Sequence, residues 1–112
     1  MSRELKRGTI ELVLLSLLER RDRYGYEIVA AIEAGSGGGL EVRDGTLYPV
    51  LYRLEEAGFV APRWEHPERG VPRKYYRITD EGKKELARLA AEWREFAAAV
   101  DAILDSEREG GR

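Results

Sequence analysis

Apolar residues in the first half of the chain recur at helical spacing. Ile10, Val13, Leu14, Leu17 and Leu18 follow i, i+3, i+4, i+7 and i+8, which predicts an amphipathic helix from about Thr9 to Arg20. Thr9 is placed to cap its start, and Arg20, Arg21 and Arg23 stand where cations suit a helix C-terminus. Asp22 and Arg23 read as a short turn. A second helix is predicted from about Gly25 to Ala34, with Tyr24, Ile28 and Ile32 spaced by four and Val29 beside them. Gly35-Ser-Gly-Gly-Gly39 stops it and reads as a flexible loop without a phosphate-binding pattern. A third helix follows from Asp44. Leu47, Leu51 and Leu54, with Val50, point one way, while Thr46, Tyr48, Pro49, Tyr52 and Arg53 fall on or beside the opposite face. Gly58 stands where a helix commonly ends in a left-handed residue.

Past Gly58 the pattern changes. Phe59 to Trp64 and Arg73 to Ile78 are rich in aromatic and β-branched residues, separated by the turn-rich Glu65-His-Pro-Glu-Arg-Gly-Val-Pro72, which predicts a β-hairpin with a basic tip. Tyr76 and Ile78 share one strand face; Arg73, Tyr75 and Arg77 share the other. Thr79 or Asp80 then caps the longest helix. Its apolar residues Leu86, Leu89, Trp93, Phe96, Val100 and Ile103 are spaced 3, 4, 3, 4, 3, the seam of a coiled coil, and Ala90, Ala97 and Leu104 widen it on one flank. At 1.5 Å per residue this helix runs roughly 35 Å, longer than a small domain needs.

Composition narrows the choices. The chain has 112 residues and suits one small core that an oligomer would extend. It contains no cysteine, which removes disulfides, thiolate metal sites and thiol nucleophiles, and which fits a reducing cytoplasm. The longest apolar run, Leu12 to Leu18, is too short to span a bilayer. Net charge is −2, yet residues 1–80 balance 13 Lys and Arg against 13 Asp and Glu. Any nucleic-acid contact is therefore local, with Arg63, Arg69, Arg73, Lys74 and Arg77 as the cationic cluster. The single histidine, His66, lies in a turn beside Pro67; a metal site would need carboxylates alone, and the sequence holds no nucleophile–base constellation. No catalytic residue and no cofactor is expected.

Three short helices followed by a hairpin is the order of a winged helix-turn-helix. The expected fold is mainly α with a small β-hairpin. It divides into a winged helix-turn-helix DNA-binding domain over 1–79, a dimerisation helix over 80–105 and a flexible tail over 106–112. A helix of the third one's width fits the major groove, and a two-fold dimer would meet a palindromic operator with half-sites about 34–36 Å apart.

Tyr24-Gly-Tyr-Glu-Ile28, Gly45-Thr-Leu-Tyr-Pro49 with Arg53-Leu-Glu55, and Arg73-Lys-Tyr-Tyr-Arg-Ile-Thr79 with Gly82 resemble the PadR family of bacterial transcriptional regulators. The resemblance runs from about Thr9 to Leu104 and is nearest to the short subgroup with a single C-terminal dimerisation helix. It implies a cytoplasmic dimeric repressor that small molecules release from double-stranded DNA, and for some such proteins a flat aromatic ligand at the dimer interface.

The candidate DNA contacts are Gly25 and Tyr26 at a helix N-terminus suited to phosphate, Thr46, Tyr48, Pro49, Tyr52 and Arg53 on the third helix, and Arg69, Arg73 and Lys74 on the wing. Each has a plainer reading: Gly25 for close packing, Tyr48 and Tyr52 as fillers between helix and wing, Arg53 in an ion pair with Glu56 or Glu27, and the wing cations as solvated charge. The candidate dimer seam is Leu86, Leu89, Ala90, Trp93, Phe96, Ala97, Val100, Ile103 and Leu104, with Trp93 and Phe96 also candidates for holding a small aromatic or hydrophobic effector. Against the DNA-binding repressor stands a winged-helix module that binds protein instead, which the near-neutral charge and the acidic fourth helix keep open.

Overall fold

The computed structural model describes the backbone of residues 3–4 and 8–110 and the side chains of residues 8–106. Its elements run β1 (Arg3–Glu4), α1 (Ile10–Arg20), β2 (Arg23–Tyr24), α2 (Gly25–Gly35), β3 (Leu40–Glu41), α3 (Asp44–Glu56), β4 (Val60–Glu65), β5 (Arg73–Ile78) and α4 (Asp80–Gly110). The core lies where α1 meets the other helices and the hairpin. Ile10, Leu14, Leu15 and Leu18 of α1 close on Ile28 and Ile32 of α2, Leu47, Val50, Leu51 and Leu54 of α3, Val60 and Tyr76 of the hairpin, and Leu86 of α4. Each such side chain stabilises the fold by roughly 1.5–3 kcal/mol relative to exposure. Val13 and Leu17 are half-buried: they pack against this core and also line a groove beside α1, while Leu15, outside the helical repeat read from the sequence, is fully buried.

The hairpin pairs antiparallel from Val60 opposite Ile78 to Glu65 opposite Arg73. The turn expected at Asp22 and Arg23 is partly a strand: Arg23 and Tyr24 form β2, which pairs with the other edge of β5, Arg23 opposite Tyr76 and Tyr24 opposite Tyr75. Two residues carry no readable period, and β2 exists only because β5 offers it a free edge. Likewise β3 pairs in parallel with β1, Arg3 opposite Leu40.

Glycines end two helices by the same device. After α3, Gly58 takes φ +81°, and the N–H groups of Gly58 and Phe59 donate to the carbonyls of Glu55 and Leu54 at 3.0 and 2.9 Å. This is the paired-bond helix stop that a left-handed residue permits. After α2, Gly37 takes φ +62°, with Gly37 and Gly38 donating to Ala34 and Glu33. The glycine run is therefore not a free loop: Ser36 Oγ also accepts the Leu40 N–H at 2.9 Å.

Thr79 caps α4. Its hydroxyl accepts the Gly82 N–H at 3.0 Å and donates to the Gly58 carbonyl at 2.6 Å, tying the start of α4 to the end of α3. Gly82 is required there, because a Cβ would run into the Phe59 carbonyl. Leu86, expected in a dimer seam, instead fills its own protomer's core, and Leu89 packs beside it. Beyond them α4 leaves the body. The radius of gyration is 16.9 Å, against about 13 Å for a compact chain of this length. The helix continues through Gly110, past the tail boundary expected at 106; residues 111 and 112 lie outside the described residues.

Candidate nucleic-acid interface

The third helix is built as its pattern requires. Leu47, Val50, Leu51 and Leu54 are buried, and Pro49, Tyr52 and Arg53 are exposed on the other side, with Thr46 and Tyr48 half-buried between. Arg43 occupies the N-cap position; its carbonyl accepts from Thr46 and Leu47, both at 2.9 Å. Pro49 thus sits inside the helix, where it removes one backbone donor and crowds the carbonyl of Gly45. Tyr52 is 55% exposed and its ring lies 6.5 Å from that of Tyr48.

Tyr48 and Gly25 form a lock between α2 and α3. Gly25 is buried, and a Cβ there would strike the Tyr48 hydroxyl. The plainer reading of Gly25, close packing, accounts for its position. Burial pushes the Tyr48 phenol up, with Asp44 and Tyr52 adding to the effect, so it stays neutral. Tyr26, next along α2, is 74% exposed. The Glu27 carboxylate accepts the Tyr24 N–H at 3.2 Å and pairs with Arg21 at 3.4 Å, completing the start of α2.

Arg53 pairs with neither Glu56 nor Glu27. Its partner is Glu11 of α1, at a loose 3.6 Å with half of the Arg53 side chain exposed. Such a pair is worth at most about 1 kcal/mol and yields readily to a better anion.

On the outer face of the wing, cations and tyrosines interleave. The Arg63 guanidinium lies 4.7 Å from the Tyr75 ring centroid and that of Arg73 lies 5.1 Å from Tyr24, while Tyr24 and Tyr75 meet edge-on at 5.2 Å. Arg63 also holds Asp22 at 3.0 Å and Glu65 at 2.7 Å, which anchors the hairpin to the α1–α2 connection. Arg63 belongs to the cationic cluster read from the sequence, but Asp22, Tyr24 and Tyr75 are not among the candidates; the alternation of Arg73-Lys-Tyr-Tyr-Arg-Ile78 signals Tyr75 beside Arg73, but the β2 pairing that brings Tyr24 to them has no sequence signal. Arg73 and Arg69 are exposed, Arg69 in the β4–β5 connection. Lys74 is turned the other way, onto α3, where its ammonium pairs with Glu55 at 3.1 Å.

A second exposed surface lies at the far end of α4. Phe96, Ile103 and Leu104 are 64, 64 and 61% exposed, with Trp93 and Val100 also open and Ala90 and Ala97 half-buried. The Trp93 and Phe96 rings lie 6.4 Å apart. Trp93 also edges a groove of about 950 Å³ between α1, the end of α2 and the near half of α4.

A helix-turn-helix with a three-stranded wing and a long C-terminal helix defines the winged-helix class of transcriptional regulators. The sequence profile of the transcriptional regulator PadR-like family matches residues 14–88, and the chain belongs to that family. It is similar to a transcriptional regulator from Clostridium thermocellum (32% identity, 86% of this chain and 93% of that one, TM-score 0.80). It is also similar to a PadR family transcriptional regulator from Eggerthella lenta (38% identity, 89% and 85%, TM-score 0.77). The negative transcriptional regulator PadR of Bacillus subtilis is 29% identical over 77 residues, which are 69% of this chain and 42% of that protein. These relatives are regulators, not enzymes. Among the described residues no helix is long and apolar enough to cross a membrane.

Proposed function

We propose that this chain is a cytoplasmic homodimeric repressor that reads a palindromic operator with α3 and is released by a small flat hydrophobic effector. The observation that carries the DNA reading is the face of α3: Pro49, Tyr52 and Arg53 stand clear of a fully buried leucine row, with the half-buried Thr46 beside them and Tyr26 of α2 and Arg69 and Arg73 of the wing exposed as well. Arg53 supplies a guanidinium able to leave Glu11 for phosphate or guanine. The wing arginines supply phosphate contacts that position without reading sequence. Repression is supported by the likeness to the negative regulator of B. subtilis.

The dimer reading rests on the far half of α4. An apolar face of this extent asks for a partner, and residues 93–104 carry the seam period of a coiled coil. The groove complements it: an apolar floor including Leu12, Val13 and Leu17 is edged by four cations, Arg20, Arg23, Lys83 and Arg94, and one carboxylate, Glu19, while the far half of α4 carries Asp101 and Asp105. Two α4 helices meeting near their two-fold axis bring two copies of Trp93 and Phe96 together, which is where a planar aromatic molecule would insert. On this reading residues 1–79 are the DNA-binding unit and 80–105 the dimerising one.

The test is fluorescence anisotropy against DNA from upstream of the chain's own gene, with a scrambled control and a salt series. Affinity that falls steeply with salt and prefers the native duplex is the expected result. Equal, weak binding to both duplexes, confirmed by failure to enrich any sequence from a randomised pool, would leave the protein-binding module as the better account.

A further inference from the structure

Among the candidate wing cations, Lys74 stands apart. Alternation along β5 puts Arg73 and Tyr75 on the outer face and Lys74 with Tyr76 on the face toward α3. Its ammonium lies 3.1 Å from Glu55 Oε1, and 5.5 and 5.1 Å from the ring centroids of Tyr52 and the buried Tyr76. We infer that Lys74 is a positioning residue for sequence reading: it clamps Tyr52 and the last turn of α3 against the wing and does not itself bind phosphate. The inference rests on the proposal that α3 and the wing bind DNA.

The surroundings argue against a phosphate at this ammonium. Only 26% of the Lys74 side chain is exposed. The hollow beside it is lined by Tyr52, Glu55, Glu56 and Lys74, so an incoming anion meets two carboxylates around one cation. Glu55 lies near the C-terminus of α3, where the helix dipole disfavours negative charge, and Lys74 offsets both. Burial alone would lower the ammonium's pKa, but the contacts with Glu55 and Tyr76 outweigh it and hold the pKa above the ordinary lysine value. The charge is therefore permanent and already committed to α3. Tyr52 is the aromatic this contact restrains: its ring lies near both the Lys74 ammonium and the Tyr48 ring, yet the residue stays 55% exposed. A restrained ring presents one shape to a base edge, whereas a free ring must lose rotamer entropy on binding.

The two roles leave different signatures. A lysine on phosphate releases a counterion, so its removal lowers the salt slope by about 0.9 and weakens all sequences alike. A clamp on a reading residue leaves the slope alone and lowers preference. The experiment compares full-length wild type, Lys74→Gln and Glu55→Gln. Each is titrated on a duplex the wild type enriches from a randomised pool and on a scrambled duplex, from about 50 to 200 mM salt. Thermal unfolding checks each fold. The expected result is a three- to tenfold loss of preference in both variants, an unchanged slope for Lys74→Gln on the scrambled duplex, and a double variant no worse than either single one. A slope lower by about 0.9 with equal losses on both duplexes, or no change in preference, overturns the inference. If Lys74→Gln fails to fold, Glu55→Gln decides, since a glutamate makes no phosphate contact. Should the wild type itself enrich no sequence, the DNA reading fails and takes the clamp with it; with wild-type preference intact, only the clamp is at stake.

Discussion

The two open surfaces of this chain are exposed for opposite reasons. The α3 and wing surface is polar, and many of its groups already have partners: Arg63 with Asp22 and Glu65, Arg73 over Tyr24, Arg53 near Glu11, Lys74 on Glu55. The far half of α4 is apolar, and Phe96, Ile103 and Leu104 extend from the body into solvent. One surface is finished within a single protomer and waits with its side chains arranged. The other is unfinished: its apolar area lies open in the single chain, and on the proposed function a second chain covers it. The difference separates two kinds of function: a pre-organised face loses little entropy on binding a ligand, while an unpartnered apolar helix drives assembly.

Breaking the unfinished surface should have the largest effect. The double substitution Phe96→Asp and Ile103→Asp is expected to yield a folded monomer by sedimentation. Operator affinity should fall roughly 10²- to 10⁴-fold, because joined half-site binding loses its effective concentration. A dimer that survives these charges would move the assembly surface away from α4. Leu86→Ala, on the same helix but inside the core, should instead cost about 2–4 kcal/mol of stability, a contrast that chemical denaturation of the two variants would show.

The finished surface is best tested through its lock. Gly25→Ala drives a methyl into the Tyr48 hydroxyl and is expected to cost about 1–3 kcal/mol, the range for overpacking a well-filled site. Adding Tyr48→Phe should return part of the loss in thermal unfolding. If Gly25→Ala is silent, the α2–α3 packing is looser than the geometry requires. A smaller effect is expected at the joint between the two regions: Thr79→Ala removes the α4 cap and should cost about 1 kcal/mol. The smallest is Arg73→Gln, which should leave stability unchanged and lower the salt slope of DNA binding by about 0.9 per lost contact, equally on operator and scrambled DNA. A change in preference at Arg73 would mean that the wing reads sequence as well as backbone.

Helix positions and faces were legible because their apolar residues repeat at the helical period: Leu47, Leu51 and Leu54 are buried as their spacing requires, and Gly58 ends α3 with the positive φ its position implied. Less legible was which partner each exposed group takes. The plainer of the two readings of Arg53 pairs it with Glu56 or Glu27, on its own helix or the neighbouring one; the ion pair it makes is instead with Glu11, 42 positions earlier in the chain. Lys74 and Arg73 are adjacent in sequence and both read as wing cations; the pleat of β5 sends them to opposite faces, and only the placement of α3 under one face makes the distinction matter.

By itself, then, the order of amino acids determined the helix faces, the hairpin, the helix stops at glycine and the apolar seam of α4, because each depends on residues within a few positions of one another. Tertiary structure alone decided that Leu86 belongs to the core and Phe96 to the outside, although both lie on one unbroken seam. The body of the protein ends between them, and a periodic pattern carries no information about where its neighbour stops. It also decided that two residues, Arg23 and Tyr24, become a strand and bring a tyrosine under Arg73, since a strand that short is held by its partner and not by its own sequence.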